Sequence, residues 1–300
     1  MTVKKKHKSV TAFQHKDVTP DEMKEGKKSE GVRLFFNEYD KNDNLLVEAE
    51  YSGSGEETSR SVSKYTGNNL TEEEQYIDGE LTERKTYEHE NNRLIREKTH
   101  YLDSSFDVET YTCDSEGNVI TKELKNFDGE LETTEKFTYL NKLLTEHTVF
   151  DAENNLINKI THKYSETRDI IETTEWNAEN NRELRTVYGK NETVKEGYPD
   201  YVIYTQSGSI VQKKHTIFDT EGRLLKQQID QYHAQGIVSY LTVNEWDEKG
   251  NLFITENYTN GALIQRAERF YDEENKLIMT QLSSAGEGIS TILYEYEYFA

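Results

Sequence analysis

The chain has 300 residues, room for one large domain or two ordinary ones, and carries 57 acidic against 36 basic side chains, a net charge of −21. No run approaches the ~18 apolar residues of a membrane helix, and a single cysteine, Cys113, excludes a disulfide framework or a CxxC pair. The acidic balance argues against nucleic acid as a partner. A charged fraction of 31% against 33% apolar is a disorder-like balance, yet 20 Tyr, 11 Phe and 2 Trp are too many aromatics for a disordered chain. Only 2 Pro occur, where average usage of ~5% would give about 15. Together these describe an ordered chain with a thin core.

Residues 1–31 stand apart. Eight Lys face five acids there, a net of +3, which leaves 28 basic and 52 acidic residues, or −24, on the remainder. Val10, Ala12 and Phe13 are too scattered for a secretory signal. The Lys4-Lys5-Lys6-His7-Lys8 cluster reads as an address or as an electrostatic arm against the acidic body. Asp21–Glu25 reads as a short helix after Pro20. The expectation is a basic, disordered segment over 1–31 and a continuous β-repeat domain over 32–300.

From residue 35 onward an internal repeat governs the chain. An aromatic residue is followed by a turn, then by a Leu or Ile pair, then by a polar stretch. Copies are Tyr39-Asp40 through Asn44-Leu45-Leu46, Tyr87 through Asn92-Arg93-Leu94-Ile95, Cys113-Asp114 through Asn118-Val119-Ile120, and Phe150-Asp151 through Asn155-Leu156-Ile157. Trp176-Asn177, Phe218-Asp219, Trp246-Asp247 and Tyr271-Asp272 open further copies. A shorter form appears at Tyr76-Ile77-Asp78-Gly79, Phe127-Asp128-Gly129, Tyr139-Leu140-Asn141 and Tyr258-Thr259-Asn260-Gly261.

The anchors fall at 39, 51, 65, 76, 87, 101, 113, 127, 139, 150, 164, 176, 188, 204, 218, 232, 246, 258 and 271. These 19 positions are separated by 11 to 16 residues, and all but Cys113 are aromatic. Cys113 therefore reads as a packed substitute for an aromatic ring, with no nearby His to activate it. A unit of about 13 residues holds one strand and one turn. Asp-Gly and Asn-Gly supply the positive φ that tight hairpins require, and Asn tolerates it at the Gly position. Thr, Val, Ile and Tyr fill the strands. The prediction is all-β, a long antiparallel meander of about nineteen strands in a twisted single-layer or spiralling sheet.

Within a strand such as Leu131–Tyr139, apolar residues sit at both ends and charge sits in the middle. A sandwich strand would alternate throughout. Two apolar ladders, one per rim, and a charged centre are expected, with neighbouring units stabilising one another. Tyr294-Glu295-Tyr296-Glu297-Tyr298-Phe299 reads as a closing strand exposed at an edge, its glutamates blunting the edge. Long turns after anchors 39, 87, 113, 218, 246 and 271 share one strand parity, and those after 150 and 176 share the other. The long turns are thus expected to change rim near 127–150 and 188–218, with a bend or irregular strand in the second region at Gly197-Tyr198-Pro199-Asp200-Tyr201.

The units Tyr39-Asp40, Phe150-Asp151, Phe218-Asp219, Trp246-Asp247 and Tyr271-Asp272 resemble the YD-repeat, or Rhs-repeat, pattern of bacterial proteins over roughly residues 35–280. The resemblance implies long antiparallel sheets that spiral, and a binding role. The chain departs from that pattern: Gly is often Asn, the spacing is tighter, and no toxin or autoprotease region follows. Encapsulation is not implied.

Chemistry-bearing motifs are sparse. The eight His (7, 15, 89, 100, 147, 162, 215, 233) form no HxH or HxxxH pair. His147 and His162 could meet across strands, and read as sheet-face residues. Asp40–Asn44 looks like the start of a calcium loop, but Leu45 stands where Gly is needed and Tyr51 where the bidentate Glu is needed, so it reads as a turn. No GxSxG, GxxxxGK or GxGxxG occurs. No catalytic or metal-ligating residue is identified, no cofactor is called for, and no binding residue is singled out. The expected function is a non-enzymatic scaffold for protein–protein interaction, presenting a broad acidic surface to a basic protein or to another copy of itself. The alternative is an antitoxin or immunity-type inhibitor covering a basic toxin or nuclease site. A third possibility is carbohydrate binding by exposed aromatics. Nucleic acid and a membrane span are not expected, and the location reads as cytoplasmic or exported without a cleavable signal.

Overall fold

A computed structural model describes residues 6–16, 31–189, 200–286 and 288–299. The strands begin with β1 (His7–Lys16), β2 (Val32–Tyr39), β3 (Leu45–Tyr51), β4 (Glu57–Thr66), β5 (Asn69–Ile77), β6 (Glu80–Glu90) and β7 (Arg93–His100). They continue as β8 (Phe106–Cys113), β9 (Val119–Lys125), β10 (Leu131–Leu140), β11 (Leu143–Asp151), β12 (Leu156–Tyr164), β13 (Ile170–Asn177) and β14 (Arg182–Tyr188). The last are β15 (Tyr201–Thr205), β16 (Ile210–Phe218), β17 (Leu224–His233), β18 (Gly236–Trp246), β19 (Leu252–Thr259), β20 (Ala262–Tyr271), β21 (Leu277–Ser284) and β22 (Ile289–Tyr298). The anchors at 39 through 271 sit in or beside the C-terminal ends of β2 to β20. The antiparallel meander is as the repeat dictates, and β1, β21 and β22 lie outside its count.

All 22 strands belong to one sheet, and that sheet is not open. β1 pairs with β2 on one side (Ala12 opposite Phe35) and with β22 on the other (Ala12 opposite Tyr294). The first and last described strands are thereby joined, and the 22-stranded sheet is closed on itself. This corrects the twisted single-layer or spiralling sheet, and it corrects two further expectations. Residues 7–16 of the basic segment are a strand rather than a disordered tail. The Tyr294–Phe299 stretch is no edge, because β22 is paired with both β21 and β1.

The physical reason lies in charge and size. Lys8 pairs with Glu297 at 3.6 Å and Lys6 with Asp43 at 2.9 Å, so the basic strand settles against acidic neighbours. Ala12 is fully buried and His15 and Ser9 nearly so. The His7 ring lies 5.1 Å from that of Tyr296 and 5.0 Å from that of Tyr298. The Asp21–Glu25 helix expectation lies outside the described residues.

Contacts divide the chain into two units. One comprises Met1–Asp107, Trp246–Ile254 and Gln265–Ala300, and the other Val108–Glu245 and Thr255–Ile264. Most buried side chains are small or polar in both, with Ile254 and Met279 of the first unit the large exceptions. The first unit buries Ala12, Ala49, Ala267, Met279, Thr280 and Thr291, and the second Val202, Thr148, Thr216 and Asn244. Most other described side chains are half-buried, as a one-sheet architecture with no apolar second layer requires.

Register confirms the two apolar ladders. Tyr39 stands opposite Leu45, Tyr65 opposite Leu70, Tyr76 opposite Leu81, Tyr139 opposite Leu144, and Phe218 opposite Leu224. Cys113 occupies the same position opposite Val119, with its thiol free and half-buried, as a substitute for an aromatic would. Tyr hydroxyls then reach the neighbouring hairpin. Tyr139 donates to the Val119 carbonyl (3.0 Å), Tyr164 to Leu144 (2.6 Å), Tyr271 to Leu252 (2.7 Å) and Tyr296 to Leu277 (2.7 Å).

Eleven five-residue loops among the described residues share one design. They start at Asp40, Ser52, Tyr101, Asp114, Asn126, Asp151, Ser165, Thr205, Asp219, Asp247 and Asp272, and each first N–H donates to the fifth carbonyl. The fourth residue of every one has positive φ, from Asn154 and Asn275 (63°) to Gly117 (90°). A Cβ at Gly208 or Gly222 would meet nothing within 4 Å, so the left-handed backbone alone asks for glycine there. The long loops follow both even- and odd-numbered strands, which overturns the expected change of rim. Ser52, Asn126, Ser165 and Thr205 accept the same backbone N–H bonds as the aspartates, so an aromatic-Asp pattern sees only part of the set. Tyr87's unit closes with the two-residue Asn91-Asn92 turn instead. The expected bend falls largely outside the described residues; on either side of it, Tyr188 pairs with Tyr201 and β15 is five residues long.

Candidate functional site: charged strand centres and open rim grooves

The strand centres carry a lattice of ions. In the second unit, Lys122 of β9 lies 3.0 Å from Glu109 of β8 and 3.2 Å from Glu135 of β10. Glu135 in turn meets His147 of β11 at 2.7 Å, and the His147 ring stacks on Phe137 at 4.5 Å. Four consecutive strands are thus tied by two ion pairs and a histidine–carboxylate hydrogen bond. Glu172 of β13 likewise bridges Lys163 of β12 (2.5 Å) and Arg185 of β14 (3.5 Å). In the first unit, Glu72 is held between Lys64 and Arg84, which keep its carboxyl below the usual range. Burial pulls the Lys122 ammonium down, but Glu109 and Glu135 outweigh it and hold it above the ordinary lysine value.

These pairings settle where the sequence-level candidates sit. His147 turns to Glu135 and His162 hydrogen-bonds Thr173 (2.9 Å), so the two do not share a partner. Burial, then the nearby His147, depresses the His162 pKa. No group of three His, Cys, Asp or Glu suited to a metal ion occurs among the described residues. Asp40 is a turn residue. Its Oδ1 accepts the N–H groups of Asn42 (2.7 Å) and Asn44 (3.0 Å), and Oδ2 accepts the Asn44 amide (2.9 Å). The same fork holds Asp114, Asp219 and Asp247. Hydrogen bonds of this kind hold the carboxyls of Asp40, Asp114, Asp151, Asp219 and Asp247 below their ordinary value.

Concave surface in the second unit lies at the turns. Leu140, Leu143, His162, Lys163, Tyr164 and Arg168 line an open groove of about 590 Å³. Arg168 also lines an adjoining one of about 560 Å³ with Asp114, Glu116 and Lys142. The cations there are engaged: Lys142 with Glu116 at 3.5 Å, and Arg168 with the Asn141 carbonyl at 2.8 Å. A further groove of about 630 Å³ runs between the β13–β14 turn, the β15–β16 loop and the β17–β18 turn. No motif in the sequence marked these grooves, because each gathers residues from several separate turns.

The fold defines a closed antiparallel β-sheet protein with ionised strand centres. No protein-family model matches the chain, and no curated relative matches it. Among solved structures it is similar to a porin-like protein from Bacteroides uniformis, at 12% identity and a TM-score of 0.34, over 97% of this chain and 98% of that one. It is also similar to TcdB2-TccC3-TEV, at 10% identity and TM-score 0.29 over 86% of this chain, and to TcdB2-TccC3-Cdc42, at 9% and 0.30 over 93%. This chain spans about a fifth of those two, 19% and 22% respectively. Among the described residues no helix is long and apolar enough to cross a membrane.

Proposed function

We propose that the protein is a non-enzymatic, repeat-built interaction scaffold whose acidic sheet surface engages a protein partner with a basic surface or a second copy of itself. The carrying observation is the use of ionisable groups. Glu109–Lys122–Glu135–His147 and Lys163–Glu172–Arg185 spread charge evenly over the sheet, where catalysis gathers it in a water-excluding cleft. The net charge of −21 attracts cationic surfaces and repels nucleic acid. Closure by β1 removes free strand edges, so recognition falls to side chains and turns.

Strand centres also speak for an aqueous rather than a lipid surrounding. Glu72-Glu73-Glu74 in β5 and Glu83-Arg84-Lys85 in β6 place charge on both faces, whereas a lipid-facing strand shows an apolar residue at every second position.

Light scattering on the full chain at low and high salt, together with capture of a panel of basic and acidic proteins, tests this reading. Expected is self-association or selective capture of basic proteins, either of them released by salt. A monomer that captures basic and acidic proteins alike, or neither, overturns it. Loss of a toxin's or nuclease's activity on capture would favour the inhibitor reading.

A further inference from the structure

We infer that the groove between the β13–β14 turn, the β15–β16 loop and the β17–β18 turn is a binding site for an acidic saccharide. The argument begins with charge. The chain holds 57 acidic side chains, yet none of the residues lining this groove of about 630 Å³ is Asp or Glu. Arg182, at the start of β14, is exposed there, and its guanidinium has no ion-pair partner among the described residues. Elsewhere in this unit Lys142 is engaged by Glu116, and Lys163 and Arg185 by Glu172. A planar fork of donors with no carboxylate partner among the described residues is suited to a carboxylate, which it grips through two parallel hydrogen bonds.

Apart from the aliphatic Ile210, Val211 and Ala234, the rest of the lining suits hydroxyl groups. Thr205 and Ser209 belong to a run of three hydroxyls, with Thr205 Oγ1 2.8 Å from Ser207 Oγ and Ser207 Oγ 3.4 Å from Ser209 Oγ. Gln212 and Gln231 face each other across β16 and β17, each offering a donor and an acceptor. Gln212 is oriented by its bond to the Tyr201 hydroxyl at 2.7 Å. Tyr232 supplies a ring that Lys213 Nζ approaches at 5.6 Å, which leaves its other face for a sugar to stack on, and His233 completes that side. One guanidinium for a carboxylate, amides and hydroxyls for ring hydroxyls, and one aromatic plate add up to a uronate-type sugar.

The test is calorimetric titration of the full chain at low salt with digalacturonate, with neutral galactobiose, and with inorganic phosphate. Expected is measurable binding of digalacturonate, weakened roughly tenfold or more both for the neutral disaccharide and in Arg182→Gln. Arg182 is exposed at a strand end, and an unchanged circular dichroism spectrum shows that the variant folds. Absence of heat with digalacturonate, equal binding of galactobiose, or an unaffected Arg182→Gln each overturns the site. Phosphate binding as tightly as digalacturonate also overturns it, since the hydroxyl-facing groups would then contribute nothing. This inference stands apart from the scaffold reading: it fails or survives on Arg182 whatever happens to the capture of basic proteins.

Discussion

At the residue scale the fourth position of each long loop decides local stability. Ser104 sits there with φ of 70°, exposed and without a glycine's freedom. A left-handed residue with a Cβ is strained by roughly 1–2 kcal/mol, part of which glycine gives back through its looser unfolded state. Ser104→Gly is therefore expected to stabilise the protein by about 0.5–1 kcal/mol, read as a higher urea midpoint at unchanged slope. The first position of the loops carries a pH dependence. The carboxyls of Asp40, Asp114, Asp151, Asp219 and Asp247 titrate below their unfolded value in the folded chain. Their contribution is fully present above the unfolded value near pH ~4 and is lost as pH falls through the lower folded values. The urea midpoint should be flat above about pH 5 with respect to these groups and should drop below about pH 4. Asp151→Asn keeps an acceptor for the loop N–H but removes one titration, so its acid limb should be shallower.

At the scale of elements, two kinds of cross-strand tie can be separated. The Tyr164 hydroxyl donates to the Leu144 carbonyl at 2.6 Å and Tyr139 to Val119 at 3.0 Å. Tyr→Phe at either position removes that bond and keeps the ring, an expected loss of about 0.5–1.5 kcal/mol in urea melts. Lys122 sits between Glu109 and Glu135, so Lys122→Met leaves two carboxylates facing each other across β9. A loss of about 1–2 kcal/mol is expected, and Lys122→Met with Glu135→Gln should recover part of it in a double-mutant cycle.

The rim ladders were legible in the sequence because hairpin partners lie within a few residues of each other: Tyr39 and Leu45 are read in one glance. Loops opened by Ser52 or Thr205 were missed because a hydroxyl does the work of a carboxylate there, and the eye follows Asp. The 182–234 groove was illegible for a different reason. Arg182, Gln212 and Tyr232 are separated by whole strands, and only the pairing of β14 through β17 brings them together.

At the scale of the whole molecule, β1 is the piece that the sequence hid. Its burial is invisible locally, since Ala12 packs because Phe35 and Tyr294 lie to either side, and the second of these is 282 positions away. Ala12 has no exposed surface, so Ala12→Asp puts a charge where nothing can hydrate it. The expected result is a loss of about 2–4 kcal/mol, with soluble oligomers in light scattering as the edges of β2 and β22 find other strands. A protein that stays monomeric at wild-type stability would show that β1 is dispensable to closure.

The same strand sets a timetable. β1 emerges from the ribosome long before its partner β22, while every hairpin between them can zip as soon as it is made. Early in synthesis β1 has only β2 to hold, and its second side stays open until nearly the whole chain exists. The loop-closure entropy of that final pairing grows only with the logarithm of length, so distance is a modest thermodynamic obstacle. The order of events is the stricter constraint: the seam between β1 and β22 forms only after every strand between them has been made.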